Sequence, residues 1–163
     1  MYYKDIYSKE FLGKFGTYGE KIGNLEAESE FSVDIDKLLE AYNIKSLETV
    51  SIDKYKERYL KAENLGYEIL HHRNIINKYK DSKYIGTIKN MLKCNLNSFS
   101  SELILPKTIL NKAFLSTLKD LNYDINDNFD ESDIEIITKS VSDKTEVPIA
   151  IVEQKFNQYK VFI

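Results

Sequence analysis

Tyr84-Ile-Gly-Thr-Ile-Lys-Asn-Met-Leu-Lys-Cys-Asn-Leu-Asn-Ser-Phe-Ser-Ser-Glu-Leu-Ile-Leu105 is the stretch that decides the fold class. Ile85, Ile88, Met91, Leu92, Leu96, Phe99 and Leu103 recur at three- and four-residue steps, which is one apolar face of an α-helix. Pro106 ends it and opens another helix, because proline suits the first helical turn. Ile109, Leu110, Ala113, Phe114 and Leu118 form the stripe of that next helix. After an acidic loop, Asp124 to Asp130, a helix carries Ile134, Ile137 and Val141, and Pro148 starts a last one with Ile149, Val152 and Phe156. Working backwards, residues 53–80 read as one helix capped by Asp53, with Tyr55, Tyr59, Ala62, Leu65, Ile69 and Ile76 inward.

The N-terminal side follows other rules. Ser32-Val-Asp-Ile-Asp36 offers a helix start for Ile35, Leu38, Leu39 and Tyr42, with Asn43 as its stop. Leu47-Glu-Thr-Val-Ser-Ile52 alternates apolar and polar residues, which predicts a short strand. Tyr2, Tyr3, Ile6 and Tyr7 fit either a strand or the apolar side of a helical turn. Gly13, Gly16, Gly19 and Gly23 weaken any helix by about 1 kcal/mol each, so an irregular or partly β segment is expected there. The expected class is α+β: a mainly helical single domain over 1–163 with a small β part near the N-terminal side.

The chain has 163 residues, with 23 basic and 26 acidic side chains and a formal charge of −3. That argues against a strongly basic nucleic-acid binder, whose affinity comes from neutralising phosphates. No stretch reaches the roughly 18–20 consecutive apolar residues of a membrane span. Met1 to Tyr7 has no basic segment leading into an apolar one, and Cys94 is the only cysteine, so a cytoplasmic protein without a disulfide is expected.

Few residues suggest chemistry. Asp124, Asn126, Asn128 and Glu135 fall at positions 1, 3, 5 and 12 of an EF-hand calcium loop. The sixth position, where the chain turns sharply and glycine is expected, is Phe129, which favours a solvated acidic turn. Glu68 and the only two histidines, His71 and His72, lie in a helical stretch. A di-iron site needs a second histidine-bearing helix, and Cys94 could join only by tertiary accident. Adjacent histidines cannot share one helix face, so at least one should meet solvent. No phosphate loop, dinucleotide fingerprint or nucleophile elbow is present, so no cofactor is expected.

Two segments resemble the ImmA/IrrE family of zinc metallopeptidase-like proteins. Asn97-Ser-Phe-Ser-Ser-Glu-Leu-Ile-Leu-Pro106 is similar to that family's Ala-Asn-x-Phe-Ala-Ala-Glu-Leu-Leu-Met-Pro signature through Asn97, Phe99, Glu102, Leu103 and Pro106. Glu146-Val-Pro-Ile-Ala-Ile-Val-Glu-Gln-Lys-Phe156 resembles its closing helix through Val147, Val152, Lys155 and Phe156. The resemblance covers roughly residues 33–160, leaves 1–32 unassigned, and implies a zincin-like helix core and a C-terminal helix-turn-helix-like pair. It sets the family's zinc helix on Ala62-Glu-Asn-Leu-Gly-Tyr-Glu-Ile-Leu-His71, where Ala62, Leu65, Gly66, Leu70 and His71 fit. The first zinc histidine then falls on Glu63, the general-base glutamate on Asn64 and the second zinc histidine on Tyr67. The further acidic ligand expected before Asn97 is also missing, because Met91 to Leu96 holds no Asp or Glu. Asn64 cannot take a proton from water, and a tyrosine with a pKa of about 10 is a poor zinc ligand at neutral pH.

The resemblance therefore implies a pseudo-peptidase with no catalytic residue and no metal. It would be borne on a phage or other mobile element and bind a bacterial regulatory or defence protein to inhibit or modulate it. Two alternatives stand beside it. One is a DNA-binding regulator using Glu131–Thr145 and Pro148–Tyr159, with Glu153, Gln154, Lys155 and Lys160 on the recognition helix and Gln154 able to read adenine. The other is a peptidase with an unorthodox metal site at Glu68, His71 and His72.

Overall fold

The computed structural model describes residues 15–25, 31–46 and 53–162. The described residues form eight helices: α1 (Phe15–Leu25), α2 (Ile35–Ala41), α3 (Lys54–Ile69), α4 (His72–Tyr79), α5 (Ile85–Ile104), α6 (Lys107–Asp120), α7 (Glu131–Thr145) and α8 (Ile149–Tyr159). With 74% of these residues helical and no strand among them, the fold of the described residues is all-α, which corrects the expected α+β class. The strand expected at 47–52 and the segment around Tyr2 to Tyr7 lie outside the described residues. None of the described helices is long and apolar enough to cross a membrane.

The correction has a physical cause in α1. A Cβ on Gly19 would sit 2.2 Å from the Phe99 carbonyl oxygen, and one on Gly23 would sit 2.8 Å from that of Leu103. The glycines that weaken α1 locally let it lie directly on the α5 backbone, and this packing offsets their low propensity. The same device recurs at Gly66 of α3, where a Cβ would meet Leu96 and the Phe99 ring at 2.7 Å. Phe99, completely buried, thus stands between two glycines on two helices. α3 packs against α5 there.

The expected helix over 53–80 is two helices. Leu70 closes α3 with its N–H on the Gly66 carbonyl, His71 N–H donates to the Glu68 carbonyl, and His71 takes a left-handed backbone (φ 56°) before α4 begins at His72. Neither proline nor glycine marks this break. It divides the histidines, leaving His71 exposed and His72 buried.

The C-terminal helices follow their sequence signals. Pro106 and Pro148 are the N-caps of α6 and α8. Asp130 and Asp133 form a reciprocal capping box at the start of α7, satisfying two N–H groups that the helix itself cannot. Phe129 packs edge-on against Tyr123 and Phe162, at centroid distances of 5.6 and 5.9 Å. The aromatic residue at the expected glycine position thus anchors the acidic loop to the core.

Candidate functional site

The helical positions of the singled-out residues decide which of them meet. Glu63 and Tyr67 share one side of α3, whereas Asn64 is rotated by about 100° from Glu63. Asn64 Nδ2 donates to the Lys45 carbonyl at 3.1 Å. Asn64 lines a cleft of about 810 Å³ whose walls include Tyr42, Ile44, Glu68 and His71, but neither Glu63 nor Tyr67.

On the other side of α3, Glu63 is half-buried. Burial pushes its carboxyl above the ordinary range, and the Lys93 ammonium draws it partly back. Burial, with the nearby Glu63 carboxylate, pushes the Tyr59 hydroxyl up to about 12. Tyr67 is half-buried and meets the His72 ring edge-on, with centroids 5.6 Å apart. Desolvation lowers His72 to about 4, so its ring is neutral at neutral pH.

These positions do not fit a zinc ion. Hydrolytic zinc needs three convergent protein donors and an open water position. Asn64 has no basic atom to take a proton from water and is held by a carbonyl, while Tyr67, on the Glu63 side of the helix, is packed on an imidazole. The Glu68, His71 and His72 set does not converge either, because Glu68 pairs with Arg73 at 2.9 Å and the histidines are split between solvent and core. Cys94 is exposed. Among the described residues, no three His, Cys, Asp or Glu side chains gather closely enough to hold a metal. In the acidic loop, Asp124 Oδ1 accepts from Asn126 N and Nδ2, and Asp127 Oδ2 accepts from the Asp124 N–H. Asp133 accepts from the Tyr123 hydroxyl as well as completing its capping box. These carboxylates serve the turn's own donors.

A second cleft, of about 740 Å³, lies where α1, α3, α5 and α8 meet. Glu102 is at its centre. Its Oε1 is 2.5 Å from Lys155 Nζ and accepts from Gln158 Nε2 at 3.1 Å, while its Oε2 accepts from the Tyr159 hydroxyl at 2.8 Å. The ion pair is sheltered, with side-chain exposures of 12% for Glu102 and 3% for Lys155. Lys155 Nζ makes no aligned hydrogen bond, so its attachment is Coulombic. Asn97, on the rim, accepts from the Tyr59 hydroxyl at 3.3 Å. Pro106 is buried, and its Cγ would be 3.3 Å from a Cβ on Gly23. Gln154 lines this same cleft beside Glu20 and Glu102, whose negative charge opposes a phosphate backbone.

Sequence reasoning missed Arg58. It donates from α3 to the Thr145 carbonyl at 3.1 Å and the Ile104 carbonyl at 3.5 Å, joining the ends of α7 and α5. Burial lowers its pKa, opposed by Glu146. One of only two arginines in a chain with 21 lysines was the available signal. No family model matches the sequence, and neither does a curated protein or a solved structure.

Proposed function

We propose that this chain is a catalytically inactive, ImmA/IrrE-like protein, carried by a phage or other mobile element, that binds a bacterial regulatory or defence protein and inhibits or modulates it. The observation that carries this reading is the use made of the three positions where the resembled family needs its chemistry. Asn64 is tied to the Lys45 carbonyl, Tyr67 is packed on His72, and Glu63 is half-buried beside the positive Lys93. Further support comes from Glu102 and Lys155, the charged residues among those matched in the two resembling segments, which meet as a buried ion pair. Without a base to deprotonate water, the surface can act only by occupancy. A specific complex of this kind buries on the order of 1,200–2,000 Å² in total.

The test is capture of a partner by the tagged chain from host lysate, followed by incubation of the complex. Recovery of a stoichiometric regulator or defence protein that stays full-length supports the proposal. Discrete cleavage of the captured protein, or recovery of none, contradicts it. The DNA-reading alternative gains nothing from the position of Gln154 in a carboxylate-bearing cleft.

A further inference from the structure

Charge along the chain is unevenly placed. Between Glu68 and Glu102 stand six cations, Arg73, Lys78, Lys80, Lys83, Lys89 and Lys93, against a single carboxylate, Asp81. All six are exposed, and they lie on α4, on the first half of α5 and on the turn between them. The formal charge of −3 conceals this cluster because acidic side chains outnumber basic ones over the rest of the chain. Arg73 is paired with Glu68, whereas no ion pair engages Lys78, Lys80, Lys83, Lys89 or Lys93 among the described residues.

The turn is preformed. Ser82 N–H donates to the Tyr79 carbonyl at 2.9 Å, Ile85 N–H to the Ser82 carbonyl at 3.0 Å, and Tyr84 N–H to Ser82 Oγ at 3.2 Å. Two tyrosines interleave with the lysines: Lys78 Nζ lies 5.2 Å from the Tyr79 ring centroid and Lys83 Nζ 5.0 Å from that of Tyr84. Tyr84 is 46% exposed, and its side chain makes no cap hydrogen bond for α5. The other exposed residues of the tip are polar or small, including Asn74, Asn77, Thr87 and Gly86, whose Cβ position faces open space, while Ile85 is partly buried.

From this juxtaposition of unpaired cations and an exposed ring on a rigid helical hairpin, we infer that the α4–α5 tip binds a single-stranded polynucleotide. Cations track the phosphates, and a tyrosine face stacks on an unpaired base. An acidic protein surface is the competing partner, but protein interfaces gather an apolar centre inside a polar rim, and this tip offers none beyond Tyr84. The site meets the surface invoked for the proposed function only at Lys93, which the charge-reversal variant leaves in place, so either can fail alone.

The experiment is fluorescence anisotropy of the full chain with labelled 20-nucleotide RNA and DNA strands of mixed sequence, at about 50 mM salt. The inference expects saturable binding with a log–log salt slope of about −3, as for four neutralised phosphates. Lys80→Glu/Lys83→Glu/Lys89→Glu should weaken it by at least about tenfold, and Tyr84→Ala by about fivefold or more, with helicity unchanged by circular dichroism. Lys112→Glu/Lys119→Glu/Lys139→Glu, equal in net charge but placed on α6 and α7, should bind as the parent does. A preference between the RNA and DNA arms identifies the natural strand. The inference is overturned by absence of binding to both, by equal loss in the α6–α7 control, by an unchanged affinity in Tyr84→Ala, or by a duplex or polyglutamate binding as tightly.

Discussion

Two glutamates on facing helices have opposite circumstances. Glu102 of α5 is held by an ammonium, a phenol and an amide around a sheltered ion pair, next to the place where α1 lies on the α5 backbone. Glu63 of α3 is half-buried with no ion pair among the described residues, and Lys93 partly offsets its desolvation. The difference teaches where this chain is constrained. Around Glu102 and Phe99 an added methyl meets the α5 backbone at Gly19 and packed side chains at Gly66, and removal of Lys155 orphans a charge. Around Glu63, Asn64 and Tyr67 the contacts are single and partly solvated, so side chains there can change with little effect on the fold.

That contrast is most exposed to failure at Gly19. Gly19→Ala puts a methyl 2.2 Å from the Phe99 carbonyl oxygen, and backbone cannot step aside as a flexible side chain can. The expected loss lies at or beyond the upper end of the about 1–3 kcal/mol typical of overpacking, read as a collapsed or missing urea transition. A variant as stable as the parent would mean that α1 does not lie on α5 in this way.

Next in size is the ion pair. Lys155→Met leaves the Glu102 carboxylate sheltered with only Tyr159 and Gln158, and should cost about 3 kcal/mol. Lys155→Met/Glu102→Leu should recover much of that, because removing both charges removes the desolvation penalty with them. Additive losses in this cycle would show that the two groups do not interact.

The third expectation concerns pH and His72. Its folded pKa of about 4 lies below the ordinary histidine value of 6.5, so the unfolded chain takes up a proton first. The stability this contributes is fully present above about pH 6.5 and is lost as pH falls towards 4. Denaturant midpoints of the parent should therefore drop more steeply between pH 6.5 and 4.5 than those of His72→Leu. Parallel curves for the two proteins would place His72 in contact with solvent.

The smallest effects belong to the motif face. Tyr67→Ala should lose about 1–2 kcal/mol, for a half-buried ring with one edge-on partner. Asn64→Ala should lose about 0.5–1 kcal/mol for one hydrogen bond near solvent. Thermal melts of both variants check the ranking, and a loss at either that exceeds that of Lys155→Met would reverse the comparison drawn between the two glutamates.

Legibility from sequence followed the same divide between local and tertiary causes. The last four helices are legible because their apolar period, Pro106 and Pro148 are local signals that packing does not override. α1 did not, because glycine was weighed by helix propensity, whereas Gly16, Gly19 and Gly23 at three- and four-residue spacing form the contact face on α5. The break at His71 was hidden because a histidine holds the left-handed backbone position usually given to glycine or asparagine. Of the candidate site, the turning apart of Glu63 and Asn64 was implicit in their adjacency on a helix. The meeting of Glu102 with Lys155 depended on how α8 crosses α5, which no local pattern records.

The proposal's central claim, a family resemblance without the family's zinc chemistry, is tested most directly by elemental analysis of the protein purified without chelator. Well under one equivalent of zinc per chain is expected, with a melting temperature that EDTA leaves unchanged. One tightly held equivalent, with a melting temperature that falls when EDTA removes it, would contradict the reading of Glu63, Asn64 and Tyr67 as positions that no longer bind metal.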